Sequence, residues 1–262
     1  MPGVIARVKA RFAGRQGPPL AQAYFDLLKL LRKGAVYSRT TTWVFRAGPL
    51  VSLACALVGL ALVPLAGRPA LLAFPLDFVV LAYVLALGRL AIVLAALATG
   101  SSFEGVGASR EVSFAALGAP AVVLGLVTLA RDVGTLSLTP LIAQVGPLDP
   151  EVALVARALG IVLLRENSRV PFDDPNTHLE LTMVHEVMVL DHGGVDLALI
   201  EYGAGLKLWL WSALVAGILT PLTLKALPIP LPLAGVVGIF IVASAIGGVE
   251  SEAGLEGVQR VP

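Results

Sequence analysis

The chain has 262 residues, of which 57% are hydrophobic and 14% charged, with 19 basic and 18 acidic side chains for a net charge of +1. Soluble domains run at about 45–50% apolar and about 25% charged, so this composition excludes a water-soluble globule, a disordered chain and a nucleic-acid-coating protein. A polytopic helical membrane protein is what such a balance describes.

The first 42 residues carry Arg7, Lys9, Arg11, Arg15, Lys29, Arg32, Lys33 and Arg39 against Asp26 alone. No apolar run among them is long enough to span a bilayer or to form a signal-peptide core. Arg15-Gln16-Gly17-Pro18-Pro19 reads as a turn, and the paired prolines can open a helix. Leu20, Tyr24, Leu27, Leu28 and Leu31 then recur at helical spacing. That pattern predicts an amphipathic helix lying in the membrane interface, with a helix facing a soluble partner as the other reading.

Crossing roughly 30 Å of hydrocarbon takes about 20 helical residues. Six stretches are expected to span: Ala47–Gly67, Phe78–Phe103, Val112–Ala130, the shorter Val152–Leu164, Leu197–Leu224 and Ala226–Val249. The expected fold class is therefore all-α. A basic arm over 1–42 precedes a transmembrane bundle over 43–262, which carries a large loop at about 165–196. The single cysteine, Cys55, lies inside the first apolar run and excludes an internal disulfide or a Cys-rich metal site within this chain. The positive-inside rule puts the basic arm in the cytoplasm, and six spans then put the large loop there too.

That loop holds Glu166, Asp173, Asp174, Glu180, Glu186, Asp191 and Asp196 against Arg165 and Arg169. So acidic a loop on the same side as the basic arm is expected to fold back towards that arm, or to dock a basic partner subunit. Asp174-Pro175 suits a helix start, with Leu179, Met183, Val184, Val187 and Leu190 as its apolar stripe. His178 and His185 are seven residues apart, roughly 10 Å along a helix, too far for one ion. Val189 stands where a His-Glu-x-x-His zinc motif needs its second histidine. Structural or proton-relaying histidines are the reading, and no metal site is assigned.

Charges inside the spans are the sharper signal, since each costs about 2.5–3.5 kcal/mol at the bilayer centre. These are Arg89, Arg157, Glu201 and Lys207. Glu201 and Lys207 stand roughly 9 Å apart along their helix, beyond simple i, i+4 pairing, and snorkelling is the alternative for each. Glu111 and Glu166 sit at span edges, where solvation is the ordinary expectation. Residues alone thus describe a membrane bundle with buried ionisable groups. It suits proton or ion movement, or the docking of a soluble redox or ATP-consuming module. No nucleophile, phosphate loop or cofactor ligand set is present.

At Arg15–Pro19, Asp26–Leu31, Gly107-Ala108-Ser109-Arg110-Glu111 and above all Glu166-Asn167-Ser168-Arg169-Val170-Pro171-Phe172-Asp173-Asp174-Pro175, the chain resembles the H-subunit family of respiratory complex I and of the energy-converting membrane NiFe hydrogenases. The run His178–Glu186 is more similar to the hydrogenase branch, represented by formate hydrogenlyase subunit 4 and hydrogenase-4 component C. The resemblance extends from about Val4 to Val261. It implies a non-catalytic subunit in the cell's inner, cytoplasmic membrane. Such a subunit anchors a peripheral redox arm and couples electron transfer to proton translocation. Its implied partners are the hydrogenase large and small Fe–S subunits, antiporter-like membrane subunits and the lipid bilayer. No cofactor is expected on this chain: the NiFe centre and Fe–S clusters belong to partners, and a quinone enters only in the complex I alternative.

Carried over by position, the resemblance implies a proton path through Glu111, Glu166, Glu180, Glu186 and Glu201, with Lys207 added as an intramembrane charge. Arg110 and Arg169 are its charge partners, joined by Arg157 from the spans. Asp173, Asp174, His178 and His185 fall in the partner-docking loop. The family carries about eight spans, so this sequence is expected to lack one at each end. A stand-alone ion transporter is a third reading. It predicts internal repeats and broken helices, and no clear repeat is found.

Overall fold

A computed structural model describes residues 1–145, 150–173, 183–223 and 230–259, with the side chains of 220–223, 231 and 254–259 left aside. Ten helices make up the ordered secondary structure among the described residues, and no strand occurs there. The first two are α1 (Pro2–Phe12) and α2 (Gln22–Leu31). The long apolar helices are α3 (Trp43–Leu62), α4 (Asp77–Leu97), α5 (Ser102–Val133), α9 (Gly194–Thr223) and α10 (Leu231–Gln259). Between them lie α6 (Leu138–Gln144), α7 (Pro150–Glu166) and α8 (His185–Met188).

Five of these helices are long and apolar enough to cross a membrane. They correspond to five of the six expected spans. The remaining one, Val152–Leu164, lies in α7, whose 17 residues rise only about 25 Å. Charged residues at both its ends, Glu151, Arg165 and Glu166, limit its apolar length. α5 is longer than expected, because Ser102–Glu111 continues the helix beyond the apolar run.

α9 is the hub. It packs against α3, α7, α10, α2 and α6, and more than half of its spanning stretch is buried. Leu208, Leu210, Leu214 and Ile218 of α9 meet Leu126 and Leu129 of α5, Leu159 and Leu163 of α7, and Leu138 and Leu141 of α6 in one apolar core. The outward faces carry Leu50, Leu57, Leu90, Leu117, Leu124, Ile161 and Ile241. Such an apolar exterior suits lipid or neighbouring membrane subunits rather than water.

The expected arm is not a detached segment. α1 packs on α10 and α2 lies against α9. α2 forms where the Leu/Tyr pattern predicts it, and it leaves Leu20, Tyr24, Phe25, Leu28 and Leu31 exposed beside or upon it. α1 carries no comparable sequence pattern. It is held through the buried Ile5 and through Val8, which lies against Gly247 of α10.

Small residues set the closest helix contact. At Gly48 of α3 a Cβ would stand 2.7 Å from the Ala95 Cβ and 3.0 Å from the Ala91 carbonyl oxygen of α4, and at Gly88 of α4 it would meet the Cys55 Cβ at 2.9 Å. In lipid, where helices gain little from hydrophobic association, such close packing supplies much of the contact energy. Gly48→Val is therefore expected to destabilise the bundle by about 1–3 kcal/mol through overpacking, read as a lowered unfolding midpoint of the detergent-solubilised chain.

Candidate functional site: a buried charge cluster beneath the acidic loop

Four helices bring five charges together. α4 contributes Arg89, α5 Glu111, α7 Arg165 and Glu166, and α9 Lys207. Glu166 is the shared acceptor. Its Oε1 lies 2.6 Å from Arg89 Nη2 and takes a second hydrogen bond from Arg165 Nη1, and its Oε2 stands 3.8 Å from Lys207 Nζ. Glu111 Oε1 lies 3.0 Å from Arg165 Nη2 and 3.2 Å from Arg89 Nε. The Glu166 side chain is 3% exposed, which overturns the solvated reading drawn from its place at a span edge.

Three cations thus surround two carboxylates. The arrangement allows burial, because a buried carboxylate is tolerable only when paired and hydrogen-bonded. Beside the cluster lies a cavity of about 60 Å³, walled also by Ser52, Asn167, Ser168, His185 and Ala204. That volume admits a few water molecules, and the walls are polar enough to hold them.

The end of α7 sets the next turn of chain. Ser168 adopts a left-handed conformation at φ 49, and the Arg169 N–H donates to the Leu164 carbonyl at 2.9 Å, as helix C-caps commonly do. Arg169 then reaches Glu250 of α10 at 3.4 Å, and Lys9 of α1 approaches the same carboxylate at 2.8 Å. Asp173 closes the start of the loop on itself, accepting the N–H groups of Val184 at 3.0 Å and His185 at 2.9 Å. The basic arm approaches the acidic segment at Tyr37, whose hydroxyl Asp196 pushes above its ordinary value, while Lys9 engages Glu250 rather than a loop acid.

Of the residues singled out in the sequence, Glu111, Glu166, Lys207 and His185 converge on this cavity. Arg110 lies apart from the cluster and donates to the Met183 carbonyl at 3.2 Å. Glu201 and Glu186 are exposed. Arg157 is exposed on α7, outside every ion pair found among the described residues. Asp174, His178 and Glu180 lie outside the described residues. The expected helix from Asp174 is seen only as α8, over His185–Met188, with Leu190 exposed.

Arg89 was visible only as an isolated intramembrane charge, yet it bridges both carboxylates. Arg165 and Glu250 received no role from the sequence. Its place as the first acid after the charge-free run of the last span was the one signal Glu250 offered. Among the described residues no group of three His, Cys, Asp or Glu side chains could hold a metal ion, and Cys55 is buried.

His185, in the loop, is held down at about 4 by burial first and by the Lys207 charge second. Its ordinary value is about 6.5, so the unfolded loop binds the extra proton first. The stability contributed by neutral His185 is therefore present above about pH 6.5 and is lost as pH falls towards 4. Backbone hydrogen exchange over 183–192 is expected to rise through that window, and His185→Asn is expected to flatten the rise. Arg165→Met strips a hydrogen-bonded cation from both acids and is expected to cost about 3–5 kcal/mol. Arg157→Met on the outer face is expected to stay within about 0.5 kcal/mol. Thermal unfolding of the two variants side by side checks the contrast.

Residues 2–246 match the family model described as NADH dehydrogenase. Hydrogenase-4 component C of Escherichia coli K12 is 33% identical over 224 residues, covering 84% of this chain and 70% of that protein. Formate hydrogenlyase subunit 4 of the same organism is 28% identical, covering 84% and 72%. The H-subunit of the NADH-quinone oxidoreductase of Anaplasma phagocytophilum is 28% identical, covering 80% and 67%. A chain in the structure of the membrane-bound sulfane sulfur reductase, an archaeal respiratory membrane complex, superposes with a TM-score of 0.67 at 19% identity, covering 95% of this chain and 92% of that one. At that identity the likeness speaks for the fold.

Proposed function

The chain belongs to the NADH dehydrogenase family, and from that premise we propose that it is the membrane subunit of an energy-converting hydrogenase complex of the hydrogenase-4 and formate hydrogenlyase type. In this reading it anchors a peripheral redox arm to the membrane and couples electron transfer there to proton translocation across the cytoplasmic membrane. The observation that carries the proposal is the Glu166-centred cluster, where α4, α5, α7 and α9 place five charges around a water-sized cavity beneath the loop. A structural salt bridge needs two such charges, whereas a relay needs titratable groups within reach of water, and Glu166 and Glu111 both line the cavity.

The redox centres, NiFe and Fe–S, lie in the large and small partner subunits, and antiporter-like subunits continue the membrane arm. The chain's own part is electrostatic. Redox turnover in the docked arm changes the charge facing the loop. Asp173 ties the loop to the N–H of His185, and His185 shares the cavity with Glu166 and Lys207. Displacement of Lys207, whose 3.8 Å contact is the longest in the cluster, alters the field on Glu166 and hence its readiness to take or release a proton. Glu111 offers the next acceptor, joined through Arg165 and Arg89. Glu186 of α8 and Glu201 of α9 supply the approach, and Glu180, outside the described residues, is added to it by the family resemblance.

The hydrogenase branch is favoured over a quinone-binding H-subunit of complex I by the higher identity to hydrogenase-4 component C. In the intact complex reconstituted into vesicles, Glu166→Gln and Glu201→Gln are each expected to lower coupled proton movement by roughly tenfold or more, about 1.4 kcal/mol on the limiting barrier. Electron transfer in detergent is expected to persist. Full coupling in both variants overturns the path. Isolation of the native assembly with quinone reductase activity and no nickel moves the chain to the complex I branch.

A further inference from the structure

We propose that the groove along α1 and the turn after it binds the headgroup of an anionic phospholipid. The groove is an open recess of about 450 Å³ whose lining combines Arg7, Arg11 and Arg15 with Val4, Val8 and Leu20. Arg7 and Arg11 are one helical turn apart and share a face. Gly14, at φ 66, turns the chain back, and the Arg15 N–H donates to the Ala10 carbonyl at 2.8 Å. Gly17 then lies so close that a Cβ there would stand 3.1 Å from the Arg7 Cα. Backbone geometry, not chance side-chain placement, shapes the recess.

The charge in it is uncompensated. Among the described residues Arg7, Arg11 and Arg15 enter no ion pair, whereas Lys9, between them in sequence, is committed to Glu250. Guanidinium groups converging on one recess match a phosphate, whose oxygens accept their paired N–H donors.

Depth selects the source of that phosphate. Val8 lies against Gly247 and Lys9 against Glu250, where the charge-free apolar run of α10 stops at Val249. α1 therefore climbs beside the last turns of a membrane helix, and Arg11 and Arg15 emerge at the level of the headgroups. The apolar part of the lining, Val4, Val8 and Leu20, gives the acyl chains a path back to the bilayer. A free anion has no use for that part. Anionic headgroups concentrate where juxtamembrane basic groups sit.

The test uses the full chain in its complex, delipidated in detergent. Phosphatidylglycerol, phosphatidylcholine and inorganic phosphate are titrated separately, with thermal stability and retained lipid phosphorus as readouts. Phosphatidylglycerol alone is expected to raise the unfolding temperature. Arg7→Gln/Arg11→Gln/Arg15→Gln together are expected to raise its half-saturating concentration roughly a hundredfold, each arginine contributing about fivefold. Arg68→Gln, on an exposed turn, is expected to leave it unchanged. An equal response to phosphatidylcholine, or an unchanged response in the triple variant, overturns the site. A full shift with inorganic phosphate alone overturns the lipid in favour of a free anion. A photo-crosslinker at position 11 is expected to capture lipid, and capture of a partner subunit instead overturns the proposal.

Discussion

Glu166 is a carboxylate in the interior of an apolar bundle, and the rest of the architecture is arranged to make that tolerable. A lone carboxylate there would cost several kcal/mol in lost hydration. Arg89, Arg165 and Lys207 supply the compensation from three different helices. Their requirement fixes the rotation of α4, α7 and α9 about their axes, since each must turn one particular cation inward. The leucine core below the cluster is chemically permissive, whereas the cluster admits one arrangement. It therefore acts as the registration point of the bundle.

From this constraint the loop follows. α7 ends at the cluster because Arg165 and Glu166 are its last residues, and the left-handed Ser168 redirects the chain. Arg169 is then carried to Glu250, where α1 and α10 already meet. Asp173 folds the returning length of chain onto Val184 and His185. Buried charges at Glu166 and Glu250 thus hold the two ends of one short connection. The acidic loop stands on a foundation of compensated ions rather than on an apolar base.

Much of the fold was legible in the sequence because apolar length is a direct physical requirement of a bilayer. Uninterrupted runs such as Ala47–Gly67 and Ala226–Val249 announce helices by themselves. The amphipathic α2 announced itself by spacing. α7 was harder to place, because 17 residues with charged ends satisfy neither a spanning nor an interfacial rule. α1 was missed because its contacts, Val8 on Gly247 and Lys9 on Glu250, join opposite ends of the sequence. The site was legible in its residue types and not in its pairings. Arg89 and Lys207 declared themselves by their cost in a span, but nothing local reveals that both converge on Glu166. Glu201 looked like the strongest intramembrane acid, yet it faces outward, because Ala198 and Ile200 take the buried face of the same stretch of α9.

The short α7 has an electrical meaning. A membrane potential falls across the low-dielectric slab and not across the water on either side. Neighbouring helices of roughly eight turns or more define a slab of full thickness, while α7 ends in a charged dyad after fewer than about five. If the low-dielectric slab is thinner beside α7 than beside α5 or α10, the same voltage drops over a shorter distance there, and a charge displaced near Glu166 would feel a larger fraction of it per ångström.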